Sequence, residues 1–446
     1  MLAAILLVGV VLRAETIGAH LSLDEGYSYL VGSAPSPGEL LHRLAAYENT
    51  PPLFYLLLTP LPLGHVAWLR APAAIPGALI PLILYLALRR PAGARAALLA
   101  AAMVAVAPYA VSFSDFGRAF MLAGLGCLLA LWAILRLGET DASSRWWLLY
   151  VAGGVLAVYS EYYAAVFLLA LTVAAVAYSG RARLRAGALG LLPLALLLPW
   201  IGQIERGQDA LHHTKLFAPA PAPSLRVLRD LSVRLVLGEH GAGTGTRTRW
   251  LEFVALIVVL GVAMVVLARL IAAEPRSLSS RSMLVLATTG VLVLVGHALV
   301  AVLGLAIFKQ RYLTALIPIG AALIATAMTR QPFPWLQGAA VAAVALAAVA
   351  VFLQRYHRQY DPSLGPVRAA VAAAHPRTVL TNSAVVAYYL RGLNPVFGPL
   401  GFPPGLERSC ASPCLLVEDS RIPGGTRAGL GQSRRVGYFT ILRVGG

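Results

Sequence analysis

What most constrains this chain is the recurrence, along most of its length, of apolar runs of 16 or more residues. Wound as helices, such runs approach the roughly 30 Å needed to cross a bilayer's hydrocarbon core. Hydrocarbon offers no partner to a backbone N–H or C=O, so a spanning segment must satisfy its own groups as a helix or lie in a closed barrel. The runs are rich in Ala, Leu and Val and lack the alternation of barrel strands. A polytopic α-helical membrane protein follows. With 59% hydrophobic and 12% charged residues, the chain has too few polar side chains for a soluble globular surface.

Spans are expected near 2–17, 71–88, 96–111, 119–135, 146–160, 162–178, 187–201, 250–271, 282–306, 312–329 and 333–353, about 11 transmembrane helices. The first run, Leu2–Leu12, has no basic n-region and no A-x-A-like cleavage site, so it reads as a first helix rather than a signal peptide. The basic connections are Arg89/Arg90/Arg95, Arg136/Arg145, Arg181/Arg183/Arg185, Arg269/Arg276/Arg281 and Arg330. With eleven spans all five fall on one side, which the positive-inside rule makes cytoplasmic. The net charge of +17 is thus assigned to topology and lipid head groups, with no role for nucleic acid.

The other side then carries loops 18–70, 112–118, 161, 202–249, 307–311 and everything after about 354. Residues 1–353, with loop 18–70, form one expected unit. In that loop Ser36-Pro37-Gly38-Glu39 has the form of a capping box, Leu40, Leu41, Leu44 and Tyr47 follow at helical spacing, and Leu53–Leu63 forms a second interfacial helix. Residues 354–446 have more Pro, Gly and charge and are expected to form a small soluble extracytoplasmic α/β domain. Its helix is placed at Val367–Ala374 and its strands at Thr378–Thr381, Cys414–Glu418 and Tyr438–Val444. Cys410 and Cys414 can pair in an oxidising compartment or remain two thiols; both readings stay open. Cys127 lies inside a helix as a small apolar filler.

The chemistry-bearing residues sit at the mouths of the outward loops. Loop 18–70 brings Asp24, Glu25, Glu48 and Asn49; 112–118 brings Asp115 and Arg118; Glu161 and Tyr162 stand between two helices; Lys309, Arg311 and Tyr312 open a late one. Acids can serve as a general base or hold a divalent cation, and cations can clamp a phosphate. Simpler roles compete. Ser22-Leu-Asp-Glu25 is itself a capping-box pattern, so its acids can serve a helix N-terminus alone. Arg13, Arg70 and Arg118 read locally as snorkelling boundary residues. Glu161 is harder to set aside, because an acid near a helix end in a membrane protein is costly unless paired or wet.

The series resembles the GT-C superfamily of polyprenyl-phosphate-sugar-dependent glycosyltransferases, in the branch of protein O-mannosyltransferases and lipid A aminoarabinose transferases. The resemblance is carried by a first helix followed by His20-Leu-Ser-Leu-Asp-Glu-Gly-Tyr-Ser-Tyr29, by Asn49-Thr-Pro-Pro-Leu-Phe-Tyr-Leu-Leu-Leu58 and by Leu69-Arg-Ala-Pro-Ala-Ala-Ile-Pro-Gly77. Pro108 through Ala123 and the Arg-Tyr-Leu element within Phe308–Pro318 continue it, in the family's order over the first 330 residues. It implies an extracytoplasmic site, a polyprenyl-phosphate sugar donor, a glycan, lipid or protein acceptor, and inversion at the anomeric carbon. Asp24 would then be the base or orient the acceptor, with Glu25 its helper, and Arg118, Lys309 and Arg311 would meet the donor phosphate. Two departures stand out. Tyr159-Ser-Glu-Tyr162 replaces a Tyr-Thr-His-Tyr-like segment, and Asp115 lies three residues before Arg118 rather than two. No cofactor is required; Mg²⁺ or Mn²⁺ could assist, with Asp24 or Asp115 as ligand. The rival expectations are a lipid or solute transporter and a non-catalytic lipid-binding scaffold.

Overall fold

The structure, a computed structural model, describes residues 1–203 except 16, 19–20, 49, 138–143 and 179–181, then 205, 261, 264–266, 268–269, 271–273, 277–302, 310–330, 338, 341–346 and 349, and from the C-terminal part 364–374, 376, 378–381, 383–391, 396–397, 414–419, 433–436 and 439–444. Asn49 and Lys309 lie outside the described residues, as does most of 204–276 and 331–363.

Helix α1 is Leu2–Ala14. Three short helices follow: α2 (Leu23–Gly32), α3 (Pro37–Tyr47) and α4 (Leu53–Leu58). Next come the long α5 (Val66–Leu88), then α6 (Ala94–Val106), α7 (Pro108–Ser114), α8 (Phe120–Leu137), α9 (Ser144–Ser160), α10 (Ala164–Tyr178) and α11 (Arg183–Ala195). Beyond them lie α12 (Leu278–Val302), α13 (Leu316–Thr329), α14 (Leu364–Ala373) and α15 (Ala384–Tyr389).

Among the described residues four helical stretches are long and apolar enough to cross a membrane: Val66–Leu88, Phe120–Leu137, Leu184–Gln203 and Leu278–Val300. A fifth counts if α6 and α7, bent by 58° at Ala107–Pro108, form one broken span. Helices α1, α10 and α13 are apolar but shorter. The single helix expected over 96–111 is therefore two. Pro108 has no N–H to continue the ladder, and as the first residue of α7 it is well placed to begin a new helix.

The helix bundle has one large core, running through α5, α6, α8, α9, α10, α12 and α13. Its uncharged interior ends at the basic connections. There the guanidinium of Arg136 and that of Arg145 each lie 5.2 Å from the centre of the Trp146 ring, and that of Arg185 lies 5.0 Å from Trp147. Tryptophan and arginine together are the usual furniture of a membrane–water boundary.

Residues from 364 onward contribute α14, α15 and a five-stranded sheet of β1 (Thr378–Thr381), β2 (Val396–Phe397), β3 (Cys414–Asp419), β4 (Ser433–Val436) and β5 (Phe439–Val444). Their order is β2-β1-β3-β5-β4, with β1 parallel to β2 and β3 and the remaining pairs antiparallel. The sheet does not keep its core to itself. Val367, Val379, Val385, Phe439 and Ile441 belong to the same apolar cluster as Val31, Leu40, Leu44, Phe54 and Leu58 of α2–α4. Contact is closest between α2 and α15. A Cβ on Gly26 would come within 2.7 Å of the Ala384 carbonyl carbon and of the Val385 nitrogen, so only glycine fits there. Tyr29 meets Tyr388 edge to face at 4.9 Å, and Arg391 donates to the Gly64 carbonyl at 2.7 Å.

Candidate active site

The site grows from the N-terminus of α2. Ser22 caps the helix: its hydroxyl accepts from the Glu25 N–H, and the Glu25 carboxylate accepts from the Ser22 N–H at 2.9 Å. That box turns Glu25 inward. Its carboxylate is 2% exposed and takes a two-pronged grip from Arg70 of α5, at 2.7 and 3.0 Å, plus the Gly117 N–H at 2.8 Å. Glu25 thus ties together α2, α5 and the turn between α7 and α8. Arg70 is no snorkelling residue; it is buried in the one arrangement that makes a buried carboxylate tolerable.

One residue earlier the environment reverses. The Asp24 side chain is 44% exposed, and its Oδ2 accepts from Arg311 Nη1 at 3.1 Å. Adjacent acids on one helix end therefore differ in kind, one sealed by four hydrogen bonds and one facing open space beside a single cation.

Arg118 closes its fork on Glu48 through Nη1 and through Nη2 at 2.9 Å, and also donates from Nη1 to the Asp24 carbonyl at 3.3 Å. Burial pushes the Glu48 carboxyl up and Asp24 adds to that, while Arg118 and Arg311 oppose it. The Arg118 guanidinium is held well above its ordinary range by Glu48, Tyr55 and Asp24, against the cost of its own burial. Gln203 donates to the carbonyls of Leu44 and Glu48 at 3.2 and 3.1 Å, fixing the end of α3 that carries Glu48.

Glu161 fills the break between α9 and α10. It is 6% exposed, and burial raises its carboxyl to about 7 against the opposing pull of Arg118, Arg311 and the Tyr163 N–H. Arg311 and Tyr312 stand in a short turn, Gln310–Leu313, ahead of α13. Tyr312 stacks on Tyr163 with ring centres 3.6 Å apart, and Arg311 lies over Tyr312 and Phe120. Among the described residues the buried Arg311 Nε has no hydrogen-bond partner. A spare guanidinium N–H in a pocket lined by carboxylates and tyrosines is suited to an anionic oxygen.

The loop carrying Gly117 and Arg118 is set from below. Arg13, also expected to snorkel, is 2% exposed and donates to Ser114 Oγ at 2.9 Å, to Ala105 O at 2.9 Å and to Gly9 O at 2.8 Å. It thereby stitches α1 across the break at Pro108. A Cβ on Gly77 would lie 2.0 Å from Ser114 Oγ, so the end of α7 approaches α5 closely only because that residue is glycine.

Of the residues singled out in the sequence, Asp24, Glu48, Arg118, Glu161, Arg311 and Tyr312 converge, and Glu25 braces them from behind. Asp115 is buried at the C-terminal end of α7 and Tyr162 is half-buried beside Glu161. Sequence reasoning did not select Arg70, Tyr27, Tyr55, Tyr163 or Gln203. Tyr27, pushed up to about 12 by burial and by Glu48 and Asp24, sits three residues after the Asp24 peptide's start in the same motif and could have been found there. Among the described residues no three His, Cys, Asp or Glu side chains come together as a metal cluster.

Residues 50–202 match the sequence profile of the dolichyl-phosphate-mannose-protein mannosyltransferase family. Curated protein sequences gave no significant match. Among solved structures the chain is similar to ArnT from Cupriavidus metallidurans in the apo state, with a TM-score of 0.67 at 14% identity over 99% of this chain and 96% of that one. The same protein bound to undecaprenyl phosphate aligns with a TM-score of 0.63 at 14% identity and the same coverage. The oligosaccharyltransferase of Archaeoglobus fulgidus, in complex with zinc and sulfate, aligns with a TM-score of 0.52 at 15% identity over 94% of this chain and 67% of that one. Those likenesses establish the fold, which the chain shares with ArnT over nearly its whole length, and residues 50–202 are in addition similar to the mannosyltransferase family.

Proposed function

We propose that this protein transfers a sugar, with inversion, from a polyprenyl-phosphate carrier to an acceptor outside the cytoplasmic membrane. The observation that carries the proposal is the pairing of an exposed carboxylate, Asp24, with Arg311, a cation that keeps a buried N–H unspent. The ArnT structure with undecaprenyl phosphate supports a lipid phosphate as the donor's carrier.

Asp24 takes the proton from an acceptor hydroxyl or amine as that atom attacks the anomeric carbon. The bond from that carbon to the phosphate oxygen breaks, and its electrons remain on the phosphate. Negative charge builds on the phosphate as the bond breaks, and the products are the glycosylated acceptor and the lipid phosphate. Arg311, with its free Nε, stabilises that charge. Arg118, whose fork is filled by Glu48, contributes field rather than a contact, and Lys309 and Asn49 adjoin the same site in sequence. Glu25 holds the helix that presents Asp24.

Active site and residues 354–446, the latter an α/β domain, are assigned to the extracytoplasmic side of a catalytic unit formed by 1–353. Two observations support the side: the basic, tryptophan-rich boundary lies at the opposite ends of the helices, and Cys414 is disulfide-bonded. Asp24 and Glu48 already have arginine partners, so we assign no obligatory metal; turnover should survive EDTA, read as sugar transfer before and after chelation.

The test is transfer of radiolabel from polyprenyl-phosphate sugars to crude envelope acceptors by the purified protein. Asp24→Asn should lower the rate by about 10²–10⁴-fold while leaving the melting temperature near that of the parent. Full activity in that variant would sink the mechanism. Substrate flux across vesicles without sugar transfer would favour a transporter instead.

A further inference from the structure

Among the described residues the site holds more acids than cations: Asp24, Glu48 and Glu161 lie within electrostatic reach of Arg118 and Arg311. Arg118 is committed to Glu48, and Arg311 to Asp24. Glu161 is the acid left over. Among the described residues it makes no ion pair, and its one polar support on the side chain is the Tyr163 N–H.

Among the described residues, the elements around it bring no direct counter-charge. Tyr55 comes from α4, Glu48 from the end of α3, Arg118 from the turn before α8, and Arg311 and Tyr312 from the turn before α13. Tyr163 lies in the turn just before α10 and has His297 of α12 stacked behind it. A carboxylate so buried, with a second acid near and no cation in contact among the described residues, is cheaper to keep as the neutral acid. As an acid it carries an O–H, which a carboxylate lacks.

We propose that Glu161 works as a neutral carboxylic acid, donating its O–H to an anionic oxygen of the donor phosphate beside Arg311 and giving up that proton as the glycosidic bond breaks. The inference rests on the donor assignment above. Protons balance across the cycle: the acceptor's proton goes to Asp24, Glu161's proton goes to the phosphate as the bond's electron pair arrives there, and the proton on Asp24 restores Glu161 through water. Once ionised, Glu161 stands beside two arginines, which is where the new carboxylate is best tolerated. Raised to about 7, the carboxyl is protonated in a large share of molecules at neutral pH and can still release its proton.

The test uses undecaprenyl phosphate itself, binding to the intact protein in lipid nanodiscs between about pH 6 and pH 8. Above about pH 7 the parent should lose affinity by up to about tenfold per pH unit more than Glu161→Gln does, because only the parent gains a repelling charge. The phosphate's own titration is common to both proteins and cancels. Glu161→Asp, which keeps an ionisable acid, should keep the parent's pH dependence. Infrared difference spectra of the unsubstituted protein supply a reading that needs no variant: a protonated carboxyl band at neutral pH should shift when undecaprenyl phosphate is added. Identical pH dependence in the parent and Glu161→Gln, or no such band, overturns the role of Glu161 while leaving the donor assignment standing. Failure of every protein to bind at any pH overturns the donor assignment and this inference with it.

Discussion

Asp24 and Glu25 share a peptide bond and have opposite tasks. Successive residues on a helix point about 100° apart, and the Ser22 cap fixes which of the two turns inward. Glu25 meets Arg70, and removing either partner leaves the other as an uncompensated buried charge. Glu25→Gln or Arg70→Met should each destabilise the protein by about 3–5 kcal/mol, and the double variant should cost less than the sum. Thermal unfolding in detergent checks this. Equal additive losses would mean that the pair is not a unit. The sequence could name the acids, because an Asp-Glu pair after a spanning segment is conspicuous among so few charges. It could not divide their roles, nor could it place Arg13 and Arg70. An arginine at the end of an apolar run looks alike whether it reaches for head groups or for a carboxylate brought in by another helix. Only the tertiary fold, which sets Arg70 against Glu25 and Arg13 against Ser114, distinguishes them.

At the scale of elements, the turn that carries Gly117 and Arg118 inherits its position from α7, and α7 from its contact with α5. Gly77→Ala would drive a methyl group into the Ser114 hydroxyl, and the end of α7 would have to shift. We expect a raised KM for the lipid donor with a smaller fall in kcat, because Arg118 and the Gly117 N–H move while Asp24 stays on α2. Adding Ser114→Ala to Gly77→Ala should recover part of the loss, and steady-state kinetics of the three variants decide it. The break that creates α7 was not legible in hydropathy, which is unchanged across residues 96–111. Pro108 was the signal, since it removes a ladder hydrogen bond that apolar composition does not register. The short β2 was missed because two residues offer no alternation to see, whereas β1, β3 and β5 are bounded apolar runs and fall close to where the sequence placed them.

At the scale of the whole molecule, the helices supply a scaffold and one end of it supplies the chemistry. Charge is nearly absent between the ends, which is why apolar periodicity revealed the class of fold while saying little about the site. Convergence of residues 24, 48, 118, 161 and 311 is a property of how the helices are packed, and no local window contains it. The likeness to known glycosyltransferases in motif order was the part of the sequence that joined those positions before the fold did.

The fit of Gly26 against Ala384 has a consequence in time. Helix α2 emerges from the ribosome long before α15, yet each lies on the other's backbone. The helix bearing Asp24 therefore waits, through the insertion of nearly every other helix, for the surface it finally rests on. A chain halted before residue 364 should insert into the membrane and still transfer no sugar, measurable by pairing protease protection with the transfer assay. Catalysis would begin only once α15 has been made and docked, so a chain still lacking it would not draw on the carrier lipid.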